Sequence, residues 1–119
     1  MKTKFFELAK KLSNKANHPQ YKLGCVIVRG NEIVSIGFNE LKTHPKSVTP
    51  YKQLHAEINA ILSVDRKELN GCEVYMYREH QDGSLALSKP CQYCHAILES
   101  VGIEKIYYTD DTGYKVIHV

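Results

Sequence analysis

The chain has 119 residues and a mass of 13.6 kDa, enough for a single domain over 1–119 with one core and too short for two domains. Apolar residues make up 43% and charged residues 24%, ordinary globular proportions that exclude a disordered, collagen-like or fibrous chain. The net charge of +3 rests mainly on Lys, with only Arg29, Arg66 and Arg78 as Arg. It tolerates an anionic ligand without calling for nucleic acid, whose recognition leans on Arg.

In chain order, Phe5, Phe6, Leu8, Ala9 and Leu12 recur at helical spacing among lysines, which predicts an amphipathic packing helix from residue 2 to about 15. Leu23 to Arg29 and Glu32 to Phe38 are β-branched runs divided by Gly30-Asn31, the signature of an antiparallel hairpin. Leu23 to Val28 is also the longest apolar run, far below the roughly 20 residues of a membrane helix. Glu7, Lys10 and Lys11 interrupt any signal-peptide core, so a cytoplasmic protein without membrane contact is expected. A polar stretch with Pro45 and Pro50 follows Asn39, and Leu54, Ile58, Ile61 and Leu62 resume a helical period.

Cys72 to Tyr77 reads as a third strand, Pro90 opens a helix running to Glu99, and Gly102 stops it. Ile103 to Thr109 and Tyr114 to Val119 are further strands. The few residues between them are too short for a parallel crossover, so they pair antiparallel. The predicted class is α/β: a single mixed sheet of about five strands flanked by about three helices.

Four cysteines in a cytosolic chain point to metal or buried thiols rather than disulfides. Cys25 and Cys72 lie in apolar strand-like runs and read as small buried hydrophobes. Cys91 and Cys94 form Pro90-Cys91-Gln92-Tyr93-Cys94 at the start of the third helix, and His55-Ala56-Glu57 stands at the start of the second. Helix starts present backbone N–H groups and a positive dipole, a field that favours thiolates. One imidazole and two thiolates, from His55, Cys91 and Cys94, suit Zn²⁺ and leave its fourth position open to water, as in catalytic sites. Glu57, two residues from His55, does not share its helix face and is better placed to move protons beside that water. Alone, H-A-E is uninformative and C-x-x-C could be a redox pair or half a structural zinc site; together, in this order, they are specific.

H-x-E followed by P-C-x-x-C is the pattern of zinc nucleobase deaminases. With the element order, it makes this sequence resemble the cytidine/deoxycytidylate deaminase superfamily over nearly its whole length. The resemblance implies an α/β/α fold, Zn²⁺ on His55, Cys91 and Cys94, and Glu57 as the catalytic proton carrier. Gly37-Phe38-Asn39 is similar to the family's G-x-N element, which implies that Asn39 contacts substrate, with the backbone N–H groups of Ala56 and Cys91 near the base or the zinc-bound oxygen. It also implies a hydrolytic deaminase and a homo-oligomer.

Substrate indicators conflict. The His ligand leans toward deoxycytidylate, tRNA and polynucleotide deaminases, whereas the C-terminal hairpin leans toward nucleoside deaminases. Lys42, His44, Lys46 and Lys52 in the loop after Asn39, and Lys89 beside Pro90, would favour an anionic ligand. The expectation is a cytosine mononucleotide or nucleoside, with CMP or dCMP slightly ahead. The absence of Trp and of an Arg cluster ranks a polynucleotide substrate lower. A free purine or pyrimidine base, and a zinc-stabilised binding module without catalysis, are the other readings.

Overall fold

The computed structural model describes residues 2–16, 22–39 and 56–119. Five strands, β1 (Leu23–Arg29), β2 (Glu32–Phe38), β3 (Glu73–Arg78), β4 (Lys105–Asp110) and β5 (Gly113–His118), form one sheet in the order β2-β1-β3-β4-β5. The β3–β4 pair is parallel and the others antiparallel, including β4 with β5. The sheet is therefore mixed, as the short β4–β5 connection requires.

Helix α1 (Thr3–Ser13) covers one face, where Phe5, Phe6, Ala9 and Leu12 pack on Val26, Val28, Tyr75, Tyr77 and Tyr107. Helices α2 (Ala56–Leu62) and α3 (Gln92–Ser100) cover the other, where Cys25, Ile27, Val74, Met76 and Ile106 meet Ala56, Ala60, Cys94 and Leu98. β1 alternates Cys25 and Ile27 toward one layer with Val26 and Val28 toward the other. It is buried on both sides, which is why it reads as one unbroken apolar run.

Helix α3 ends as predicted. Gly102 adopts φ +90° just past the cap, its N–H donates to the Glu99 carbonyl (3.1 Å) and the Ile103 N–H to the Leu98 carbonyl (3.1 Å). This is the paired closure that a glycine in the left-handed region permits. The start differs from the sequence expectation: the helix begins at Gln92 with Cys91 in extended backbone as its N-cap, so Pro90 lies outside it. Cys91 thereby holds the half-in position where side chains and backbone N–H groups meet. The third, fourth and fifth strands each differ from the predicted limits by one or two residues, and a short 3₁₀ turn at Arg66–Glu68 is an element the periodicity did not show.

Among the described residues, no helix is long and apolar enough to cross a membrane.

Candidate active site

The end of the sheet where β2 and β3 terminate and β1 begins carries Asn39, one of the predicted site residues. Leu23 at the start of β1 lies opposite Arg78 at the end of β3, and Gly24 lies opposite Phe38 at the end of β2. Asn39 follows directly and is buried. Its Oδ1 accepts from the Leu23 N–H at 2.8 Å and its own N–H donates to the Leu23 carbonyl at 3.3 Å. Because a peptide N–H can only donate, the oxygen of the carboxamide must face Leu23, which fixes the side-chain orientation.

Helix α2 starts against this corner. A Cβ on Gly37 would stand 2.4 Å from the Ala56 carbonyl oxygen and 2.6 Å from the Ala60 nitrogen, so only glycine lets the helix approach β2 this closely. Two side chains secure the approach: Asn59 Nδ2 donates to the Phe38 carbonyl (2.8 Å) and Ser35 Oγ to the Ala60 carbonyl (2.6 Å). Ala56, the first residue of α2, is buried. His55 and the Glu57 side chain lie outside the described residues, as do Lys42, His44, Lys46 and Lys52.

The second helix start belongs to the same layer. Cys94 is fully buried in the cluster that holds Ala56, and Cys91 packs against that cluster. Cys91 is the N-cap and Cys94 the third helical residue, so both cysteines stand in the first turn of α3, where the helix presents its N–H groups. Cys91 Sγ caps none of those N–H groups, and its carbonyl accepts the first helical bond from the His95 N–H (2.8 Å). All four cysteines are outside disulfides. A pair of thiols at i and i+3 on a helix N-terminus is a donor set that fits Zn²⁺. Among the described residues no third His, Cys, Asp or Glu joins them.

Cys72 differs. It is buried, its thiol donates to the Glu68 carbonyl at 3.2 Å, and burial pushes it above the usual thiol range, with Arg29 pulling part of the way back. A thiol held protonated is a packing group, not a ligand. Lys89 is exposed and Tyr93 is half-exposed beside the cysteines.

Residues that motif reading missed sit behind the cysteine turn. Ser88 and Thr109 are buried polar groups joined to each other and to the ends of β3 and β4, and Arg78 Nη1 donates to the Leu87 carbonyl at 3.1 Å. Isolated Ser and Thr carry no spacing signal. The only hint was a hydroxyl three residues ahead of Cys91.

The fold is that of known nucleoside and nucleotide deaminases. Cytidine deaminase from Burkholderia pseudomallei superposes with a TM-score of 0.69 at 20% identity, over 99% of this chain and 92% of that one. The apo dCMP deaminase of cyanophage S-TIM5 gives 0.66 at 22% identity, over 89% and 82%. In sequence, an uncharacterised deaminase of Aliivibrio fischeri is 32% identical over 92% of this chain and 72% of its own length. Deoxycytidylate deaminase of Mycobacterium phage D29 is 25% identical over 91% and 93%. Some relatives are longer, and the chain spans 63% of the human deoxycytidylate deaminase. The cytidine and deoxycytidylate deaminase zinc-binding region matches residues 1–110, and the chain belongs to that family.

Proposed function

We propose that the chain is a single-domain, zinc-dependent hydrolytic deaminase that converts a cytosine nucleotide or nucleoside to its uracil form with release of ammonia. What carries the reading is one arrangement: Ala56, the middle residue of H-A-E and the first of α2, shares one buried cluster with Cys94 of α3, against which Cys91 packs, and Asn39 closes the end of the neighbouring strand β2. That end lies outside the carboxyl termini of β2 and β3, where α/β sheets bind ligands. Relatives whose names specify deoxycytidylate support a deoxycytidine monophosphate substrate.

In this reading His55, Cys91 and Cys94 hold the metal. Zinc there supplies a Lewis acid that makes a water reactive near neutral pH. Glu57 takes one proton from the attacking water and delivers it to ring N3, then takes the second from the new C4 hydroxyl and delivers it to the amine, so that the C4–N bond breaks, ammonia leaves and a C4=O bond forms. With its Oδ1 facing Leu23, Asn39 meets substrate through its amide N–H groups, and Ala56 offers a backbone N–H from the first helical turn. Self-association belongs to the same reading and is measured by sedimentation.

The test is ammonia release from dCMP, CMP, deoxycytidine, cytidine, cytosine, guanine and a single-stranded oligonucleotide, with zinc content measured on the same samples. Glu57→Ala is expected to keep its zinc and to lose at least about 10²–10⁴ in rate. Zinc-loaded wild type that deaminates nothing would leave a binding module. Activity only on the oligonucleotide would overturn the substrate class.

A further inference from the structure

We propose that Ser88 and Thr109 are positioning residues that set the place of the Cys91 sulfur, an inference that rests on the reading of Cys91 and Cys94 as metal ligands. Parallel pairing of β3 with β4 runs from Glu73↔Lys105 to Tyr75↔Tyr107. Beyond it, the segment 86–88 bridges the two strand ends. The Ala86 N–H donates to the Arg78 carbonyl (3.0 Å) and the Ser88 N–H to the Thr109 carbonyl (2.9 Å).

Two hydroxyls complete the bridge, and they meet each other with Thr109 Oγ1 2.9 Å from Ser88 Oγ. Ser88 Oγ donates to the Met76 carbonyl (3.0 Å) and accepts from the Thr109 N–H (2.7 Å). Thr109 Oγ1 donates to the Ala86 carbonyl (2.7 Å) and accepts from the Arg78 N–H (3.3 Å). Ser88 is 1% and Thr109 0% exposed, so neither can exchange these bonds for water.

Packing alone does not call for hydroxyls here. Val at 109 has the shape of Thr and would fill its space, at the cost of the bonds that the hydroxyl makes to the Ala86 carbonyl and the Arg78 N–H. What hydroxyls add is direction, because four fixed bonds allow one placement of the segment. Cys91 follows three residues later, within about 10 Å of chain. Pro90 between them fixes its own φ and holds Lys89 extended, so little slack separates the bridge from the sulfur.

The test uses Thr109→Val, Thr109→Ser and Ser88→Ala beside Val28→Ala, a cavity in the α1 layer that calibrates lost stability. Zinc affinity comes from chelator competition, the ligand field from the cobalt-loaded chain, and stability from urea midpoints. Thr109→Val and Ser88→Ala are expected to bind zinc about 10–100-fold more weakly than wild type, the range of groups that orient metal ligands, and to shift the cobalt band. Thr109→Ser should restore both. Val28→Ala should change neither.

Zinc binding in Thr109→Val and Ser88→Ala as tight as in Val28→Ala overturns the positioning role while leaving the metal site intact. If wild type binds zinc no more tightly than Cys91→Ser, the metal-site reading itself fails and takes this one with it. Should Thr109→Val not fold, Ser88→Ala and Thr109→Ser decide.

Discussion

Gly37→Ala should move the active site by moving a helix. The added methyl would lie 2.4 Å from the Ala56 oxygen, 2.6 Å from the Ala60 nitrogen and 3.1 Å from the Ala60 Cα, where ordinary contact begins at 3.4 Å. Helix α2 must therefore retreat by roughly 1 Å, the difference between 3.4 and 2.4. These are backbone atoms of the helix, so no side-chain rotation relieves the clash. The same retreat stretches the Asn59–Phe38 bond from 2.8 Å and the Ser35–Ala60 bond from 2.6 Å, taking both beyond useful geometry.

Overpacking of this kind costs about 1–3 kcal/mol and two weakened hydrogen bonds about 0.5–1.5 kcal/mol each, for a total of roughly 2–6 kcal/mol. A displacement of about 1 Å in a catalytic constellation can lower the rate about 10²-fold. The assay pairs urea midpoints by circular dichroism with ammonia release per folded, zinc-loaded chain. Val28→Ala, a cavity on the opposite face, should lose about 2 kcal/mol and keep its rate. Equal rates per folded chain for Gly37→Ala and Val28→Ala would show that this close approach does not set the site.

Cys94→Ser should lose stoichiometric zinc on elemental analysis while Cys72→Ser keeps it, because only the first sulfur stands at the helix start. Leu98→Ala, in the core beneath α3, should cost about 2–5 kcal/mol in urea unfolding. Burial raises Tyr75, Tyr77 and Tyr107 above the ordinary phenol value of 10.0, helped at Tyr77 by the Glu79 carboxylate that accepts its hydrogen bond. These phenols keep their protons in the folded chain when the unfolded chain gives them up. Their stabilisation is thus complete below about pH 10 and falls as pH rises beyond it. Urea midpoints at pH 8 and 11 should differ in that sense, and Tyr77→Phe should reduce the difference. Equal midpoints would contradict the burial argument.

Local chemistry made β1 and β2 readable to the residue. The β-branched runs mark both strands and the two-residue turn joins them, whereas the register shift at Ile27 and Val28 carries no residue signal. The antiparallel β4–β5 pair followed from connection length alone, and the cysteine pair and H-A-E from their order. The bridge of Ser88 and Thr109 was not legible, since its bonds join residues 12 to 31 apart, and no period marks such partners. Gly37 was noticed as part of a motif, yet its work as the gap that admits α2 exists only once strand and helix meet. Pro90 misled for a related reason: proline suits both the first turn of a helix and the residue before the cap, and only the extended backbone at Cys91 separates the two.

The unequal shielding of the four sulfurs has a practical result. Cys25, Cys72 and Cys94 show 0% of their surface to solvent, and Cys91 alone is half-buried. An alkylating reagent added to native protein should thus mark one position, without any engineered handle. If Cys91 ligates metal, the speed of that labelling becomes a direct gauge of how many molecules in a preparation are loaded.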